Sequence, residues 1–183
     1  MRRFTNLIML LLMLVCSTSA VYSQELSEVV GRVKSVIQAK PSCWKLNRVQ
    51  ERNNSGWVSF EQEWLCRKES VTIYFFQEDS IDGAIKMFEE LRTSPVQAPG
   101  LFVASPQIGD QSVIRTYPDY SRSSYIFFRK GKIVVRIDSN IMRNAPSTIT
   151  LKNAIWFAQL IEKQISQPDN ALNANASTEW LSS

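Results

Sequence analysis

The chain has 183 residues, 44% of them hydrophobic, with 21 Lys and Arg against 17 Asp and Glu and a formal net charge of +4. That hydrophobic share can build a core, and so small a charge excess is not the balance of a nucleic-acid-binding protein. Histidine is absent, which removes Ser–His–Asp and Cys–His nucleophiles and the imidazole ligands of most transition-metal sites.

Arg2 and Arg3 open the chain, an uncharged apolar run extends from Leu7 to Val15, and Ser17-Thr18-Ser19-Ala20 follows. A charged start, a short apolar core and a small-residue exit predict a cleaved secretory signal over residues 1–20. The apolar run is too short to anchor the chain, because a spanning helix needs about 20 such residues. The product is expected to be secreted or periplasmic, with no stable membrane span once the signal is cut. Residues 21–166 then form one globular domain, and the Asn/Ala/Ser-rich stretch 167–183 has little to pack and reads as a flexible tail.

Leu26, Val29, Val30, Val33 and Ile37 make one stripe of a 3.6-residue period, with charges opposite, so the domain opens with an amphipathic helix that Lys40-Pro41 ends. Cys43 and Cys66 remain after signal cleavage, an even pair that reads first as a disulfide in an exported chain. Between them, Asn53-Asn54-Ser55-Gly56 has turn chemistry. A four-residue loop there sets Cys43 opposite Cys66, Arg48 opposite Glu61 and Val49 opposite Phe60. A free thiol pair or a metal site competes with the disulfide, although two sulfurs without histidine make a poor zinc site.

Arg67-Lys68-Glu69 is a turn, and Ser70–Gln77 is β-branched and aromatic enough for a central strand. A helix capped by Asp79 or Ser80 follows, with Ile81, Ala84, Ile85, Phe88 and Leu91 on its buried side. Residues 94–106 hold three prolines and read as a connection. Ile108–Tyr117 is a strand, and Ser123–Arg129 and Lys132–Asp138 form a hairpin about Lys130-Gly131, with a bulge-type loop. A last helix carries Leu151, Ala154, Ile155, Ala158, Ile161 and Ile165, widened by Trp156, Phe157 and Leu160. The order α-βββ-α-βββ-α implies an α+β fold with a mostly antiparallel sheet, built from two units of a meander plus a helix, with the helices on one face.

No phosphate loop, nucleophile elbow or metal spacing is present, so no cofactor, no metal and no catalytic residue is expected. Paired carboxylates occur at Glu61 and Glu63 and at Glu89 and Glu90; the first two share one strand face, as an acid/base pair in a carboxylate-dependent hydrolase could, while the second two lie on the polar side of a helix, where charge is expected anyway. Residues 61–90 carry eight acids and three bases, while 110–152 carry eight bases and three acids. The basic half interleaves aromatic residues, a mixture that suits an anionic ligand. The expected hairpin register places Tyr125 opposite Arg136 and Arg129 opposite Lys132, on the face away from Ile126 and Phe128. Tyr125, Arg129, Lys132 and Arg136 are therefore the candidate anion-binding residues, unless a helix covers that face.

Three fragments, Trp64-Leu65-Cys66, Ile108-Gly109-Asp110-Gln111 and Phe128-Arg129-Lys130-Gly131 leading into Ile133-Val134-Val135, resemble uncharacterised exported bacterial domains. There a Gly-Asp segment precedes such a hairpin and a terminal helix. The overall plan, over roughly residues 57–165, is similar to the extracellular sensor domain of mycobacterial Ser/Thr kinases. That domain has two disulfides and a cleft, whereas this chain has a single cysteine pair. The resemblance implies bacterial export and a non-enzymatic, sensor-like or binding domain of unknown ligand. The other readings are an interaction subunit or inhibitor that docks another exported protein, and the hydrolase.

Overall fold

The structure is a computed structural model that describes residues 25–54, 57–94, 101–103, 106–116, 123–141 and 147–167. The expected signal and nearly all of the expected tail lie outside them. In chain order the elements are α1 (residues 25–39), β1 (Lys45–Asn54), β2 (Trp57–Cys66), β3 (Glu69–Gln77) and α2 (Ile81–Thr93), then β4 (Leu101–Val103), β5 (Gln111–Thr116), β6 (Ser123–Lys130), β7 (Ile133–Ile141) and α3 (Ser147–Ile165). The strands form one sheet in the order β1-β2-β3-β7-β6-β5-β4, every neighbouring pair antiparallel. The fold is α+β with an antiparallel sheet, as expected. Among the described residues no helix is long and apolar enough to cross a membrane.

Two meanders meet at the centre, where β3 pairs with β7 around Ile73 and Ile137. Strand alternation sorts the side chains into two layers. Phe60, Trp64, Val71, Ile73, Phe75, Ile126, Phe128, Val135 and Ile137 point to one face and are covered by α1 and α3. Phe127 and Val134 point to the other and meet Ala84 and Phe88 of α2. The helices therefore cover both faces rather than one. A two-fold axis normal to the sheet would relate β3 to β7 and leave the helices that follow them on the same side. They lie on opposite sides, so the similar plan of the two units is not a spatial repeat.

The second unit also has four strands, not three. β4 arises inside the proline-containing stretch read as a connection. It is a three-residue edge strand paired only to β5, too short to show an alternating pattern, with Phe102 stacked under the Arg115 guanidinium at 4.2 Å. On α2, Ser80 is the N-cap and accepts from the Gly83 N–H at 2.9 Å. Ala84 and Phe88 are buried, but Ile81 and Ile85 are 52% and 36% exposed and do not join the buried side as expected.

Both hairpins are registered two residues away from expectation. Asn54 pairs with Trp57, and Arg48 lies opposite Glu63 rather than Glu61. Asn53 and Asn54 belong to the strand rather than to the turn. In the second hairpin Lys130 pairs with Ile133, so the loop is Gly131-Lys132, with glycine first at φ +59. That is a two-residue hairpin loop rather than a bulge. A shift of two residues keeps side chains on their faces, so the assignment of faces survives except at Lys45 and Leu46, beyond the irregularity in β1, and at Lys132, which moves into the loop.

Cys43 and Cys66 are joined, with Cα atoms 5.1 Å apart. A register shift between Leu46 and Arg48 returns β1 part of the way toward the spacing the bond needs. Replacing both cysteines by serine should lower stability by roughly 3 kcal/mol, the loop-closure term for about two dozen residues. Urea unfolding of the variant checks this. Reduced wild-type protein should share its midpoint, and unchanged midpoints in both would mean the bond contributes nothing.

Candidate functional site

The Gly-Asp segment and the β6–β7 hairpin, far apart in sequence, close on one another. The Asp110 N–H donates to the Arg129 carbonyl at 2.8 Å. The Asp110 carboxylate accepts from the Gly131 N–H at 2.9 Å and lies 3.1 Å from the Arg129 guanidinium and 3.5 Å from the Lys130 ammonium. Arg129 also donates to Gln111 Oε1 and to the Gly131 carbonyl, both at 2.8 Å. The Gly109 N–H reaches across to Glu162 of α3 at 2.8 Å. Gly109 sits at φ +66, and a Cβ there would lie 2.4 Å from the Arg129 carbonyl oxygen, so only glycine permits the approach. This clasp fixes the hairpin loop against α3.

The Gly131 N–H, then the Arg129 and Lys130 charges, hold the Asp110 carboxyl below its ordinary value of 3.8, against the opposing effect of its partial burial. A value lower in the folded than in the unfolded chain stabilises the fold above about pH 4 and ceases to do so as acid protonates the group. Asp110→Asn is therefore expected to be less stable than wild type at pH 7, by about 1–2 kcal/mol. The gap should narrow steadily as the pH falls below about 4. A gap of equal size at pH 7 and in acid would contradict this role for the carboxylate.

Beside the clasp, α1, the C-terminal end of α3 and the hairpin loop enclose a groove of about 640 Å³, within the range of small-molecule sites. Val29 and Ile133, 2% and 3% exposed, form its floor, with Ile165 at one side. Arg32, Lys130 and Lys132 supply positive charge to its lining, and Glu25 is the one carboxylate among the lining residues. Glu25 accepts from the Gln77 amide at 2.9 Å, while Arg32 donates to the Gln164 carbonyl at 3.2 Å and so ties α1 to α3. The hairpin thus contributes its cations to the groove in a geometry set by Asp110.

Of the four residues expected to bind an anion, Tyr125, Arg129 and Arg136 share one face of the sheet, but Lys132 lies in the hairpin loop on the side of α1 and α3, so the four do not form one patch. Arg136 makes two 2.7 Å bonds to Asp138 and sits 5.3–5.8 Å from the ring centres of Tyr74, Tyr125 and Phe127. Tyr125 lies opposite Asp138, and Phe127 opposite Arg136. Arg129, 7% exposed, belongs to the clasp; Lys132 lines the groove. α2 packs over the Phe127 and Val134 part of the face. Both guanidinium groups are therefore already matched by carboxylates, Arg129 by Asp110 and Arg136 by Asp138.

Glu61 and Glu63 project to that same face, as alternation requires. Glu61, with a side chain only 8% exposed, is paired with Arg48 and lies 3.5 Å from Arg52. Glu63 accepts from Asn47 at 2.6 Å. Burial raises the Asp138 carboxyl above its ordinary value, and the Arg136 charge opposes the rise. Burial, then the Asp138 and Glu61 charges, raises the Tyr74 phenol. Glu61 with Arg48, and Asp138 with Arg136, thus form an ionic cluster around Tyr74 that spans β1, β2, β3 and β7.

The sequence alone does not mark Arg32 or Asp110 as site residues. Arg32 reads there as one more charge on the polar side of α1, and nothing local says that α3 and a distant hairpin come up beside it. Asp110 was within reach, because Gly-Asp and Arg-Lys-Gly occur in the same resembling fragments. Comparison with protein-family models, with curated proteins and with solved structures gives no match for this chain.

Proposed function

We propose that the chain is an exported, non-enzymatic binding domain whose ligand lies in the groove beside the Gly131-Lys132 loop. The observation that carries this reading is the groove itself: an apolar floor, three cations in its lining and a volume suited to a small molecule, with its hairpin side held by the clasp. Export is supported by the charged, apolar and small-residue succession in residues 1–20 and by the Cys43–Cys66 bond, which persists in oxidising compartments. A sensor-like role fits a site built from three separate elements, because a ligand there joins α1, α3 and the sheet.

Thermal unfolding of the exported protein against a broad small-molecule library tests the reading. A ligand at 100 times its Kd stabilises by about 2.7 kcal/mol, a shift of several degrees. At least one chemical class should give it, and Val29→Trp, which fills the groove floor, should abolish it. A library without any such class, or a shift untouched by Val29→Trp, would contradict the assignment.

A second reading, docking of another exported protein, is favoured by one feature: Ile81 and Ile85 lie one turn apart on α2 and are both exposed. An Ile81→Glu, Ile85→Glu chain that still captured the same partner would dispose of it.

A further inference from the structure

On the side of the sheet that carries α2, the two ends of β3 present exposed surfaces of opposite charge. Beyond its C-terminal end, Ile81 and Ile85 of α2 are 52% and 36% exposed. Glu78, Asp79 and Asp82 cluster at the start of that helix and make no ion pair among the described residues. Burial, then the Asp79 and Glu90 charges, raises the Glu78 carboxyl above its ordinary value of 4.5, so these carboxylates act on one another. Lys86, the nearest cation along the helix, lies 4.0 Å from Glu90.

Before the N-terminal end of β3, Leu65 is 36% exposed and lies opposite the exposed Lys45. The two-residue turn Arg67-Lys68 follows. Lys45, Arg67 and Lys68 make no ion pair among the described residues. Glu69 points to the other face, where it accepts from Asn153 of α3 at 2.6 Å, and Glu63 lies opposite Arg48. Arg67 stands at φ +55, in the left-handed region, at a loop position where glycine would be less strained. The turn thus keeps an exposed cation at a conformational cost.

We propose that copies of this chain associate head to tail, with Lys45, Leu65, Arg67 and Lys68 of one copy seated on the Ile81 and Ile85 face of α2 in the next. Each surface brings aliphatic side chains and three charges, and the signs are opposite. β3 has nine residues, which sets the two surfaces roughly 30 Å apart at about 3.3 Å per residue. One copy cannot bring them together, whereas two copies can. Because the two patches differ, the contact is heterologous and repeats along a row or ring instead of closing as a two-fold dimer. The carboxylates beside Ile81 repel anionic lipid headgroups, which argues against a membrane as the occupant. This contact is separate from the groove, and neither depends on the other.

Sedimentation of the purified chain over a concentration series reaching about 1 mM, at low and high salt, tests the inference. The average mass should rise with concentration at low salt and fall back as salt screens the charges. Arg67→Glu with Lys68→Glu, and separately Asp79→Lys with Asp82→Lys, should each weaken association at least about tenfold. An equal mixture of the two variants should associate again, because each then meets ends of the opposite charge. Arg67→Gly, which suits the left-handed backbone, should raise the unfolding midpoint and still weaken association, which separates docking from a structural role. Wild type that stays monomeric throughout overturns the inference and leaves the α2 face to a different protein. Association that ignores both charge pairs, or a mixture no more associated than either variant alone, overturns it as well.

Discussion

Replacing Trp64 by alanine is expected to destabilise the fold by about 4 kcal/mol, among the largest effects of any single truncation. The Trp64 side chain is fully buried, with its ring centre 6.5 Å from that of Phe157 in α3. Its indole N–H donates to Gln62 at 3.2 Å, and Gln62 donates to the Val30 carbonyl of α1 at 3.0 Å. One side chain therefore joins the sheet to both helices of the main layer. Alanine removes the ring contacts, leaves a cavity and takes a donor from a buried amide. Trp64→Phe keeps most of the volume and should lose markedly less. Urea unfolding of both variants checks this, and a loss under about 1 kcal/mol for Trp64→Ala would contradict its place in the core.

Gly109→Ala is expected to cost about 3 kcal/mol, from a left-handed backbone and a collision with the Arg129 carbonyl together. Gly131→Ala isolates the two contributions. Gly131 also has positive φ, at +59, but nothing lies within 4 Å of where its Cβ would be. Its substitution should cost about 1–2 kcal/mol, the conformational part alone. The excess for Gly109 measures how closely the Gly-Asp segment presses on the hairpin. Equal losses for the two variants would mean that the clasp is not closed as described.

The sequence shows the faces of the strands far better than their partners. Val71, Ile73 and Phe75 alternate because one side of β3 is buried, and that alternation needs no knowledge of the neighbouring strand. Register depends on loop length: Asn53 and Asn54 have turn chemistry yet remain in β1, so both sides of that hairpin slide by two without changing face. β4 was illegible because a three-residue edge strand is made by its partner's hydrogen bonds rather than by its own pattern. Ile81 and Ile85 have the spacing of a buried stripe, but α2 packs on β6 and β7 along a narrower line through Ala84 and Phe88.

The candidate site was half legible for a related reason. Lys132 was read as a ligand contact from local charge and remains in the groove lining. Arg129 and Arg136 carry the same local signal, but each is already matched by a carboxylate. Asp110 arrives from the start of β5, and Asp138 stands two residues farther along β7 from Arg136. Charge counted along a chain does not show which charges are already paired across a sheet.

Amide chemical shifts recorded during titration of the labelled chain with the compound that the library screen returns locate the ligand directly. The groove assignment predicts that Gly131, Lys132 and Arg32 shift progressively and saturate together, while Tyr74 and Asp138 on the opposite face stay still. Shifts centred on Tyr74, Tyr125 and Asp138, with Gly131 and Lys132 unmoved, would place binding on the ionic sheet face and contradict it.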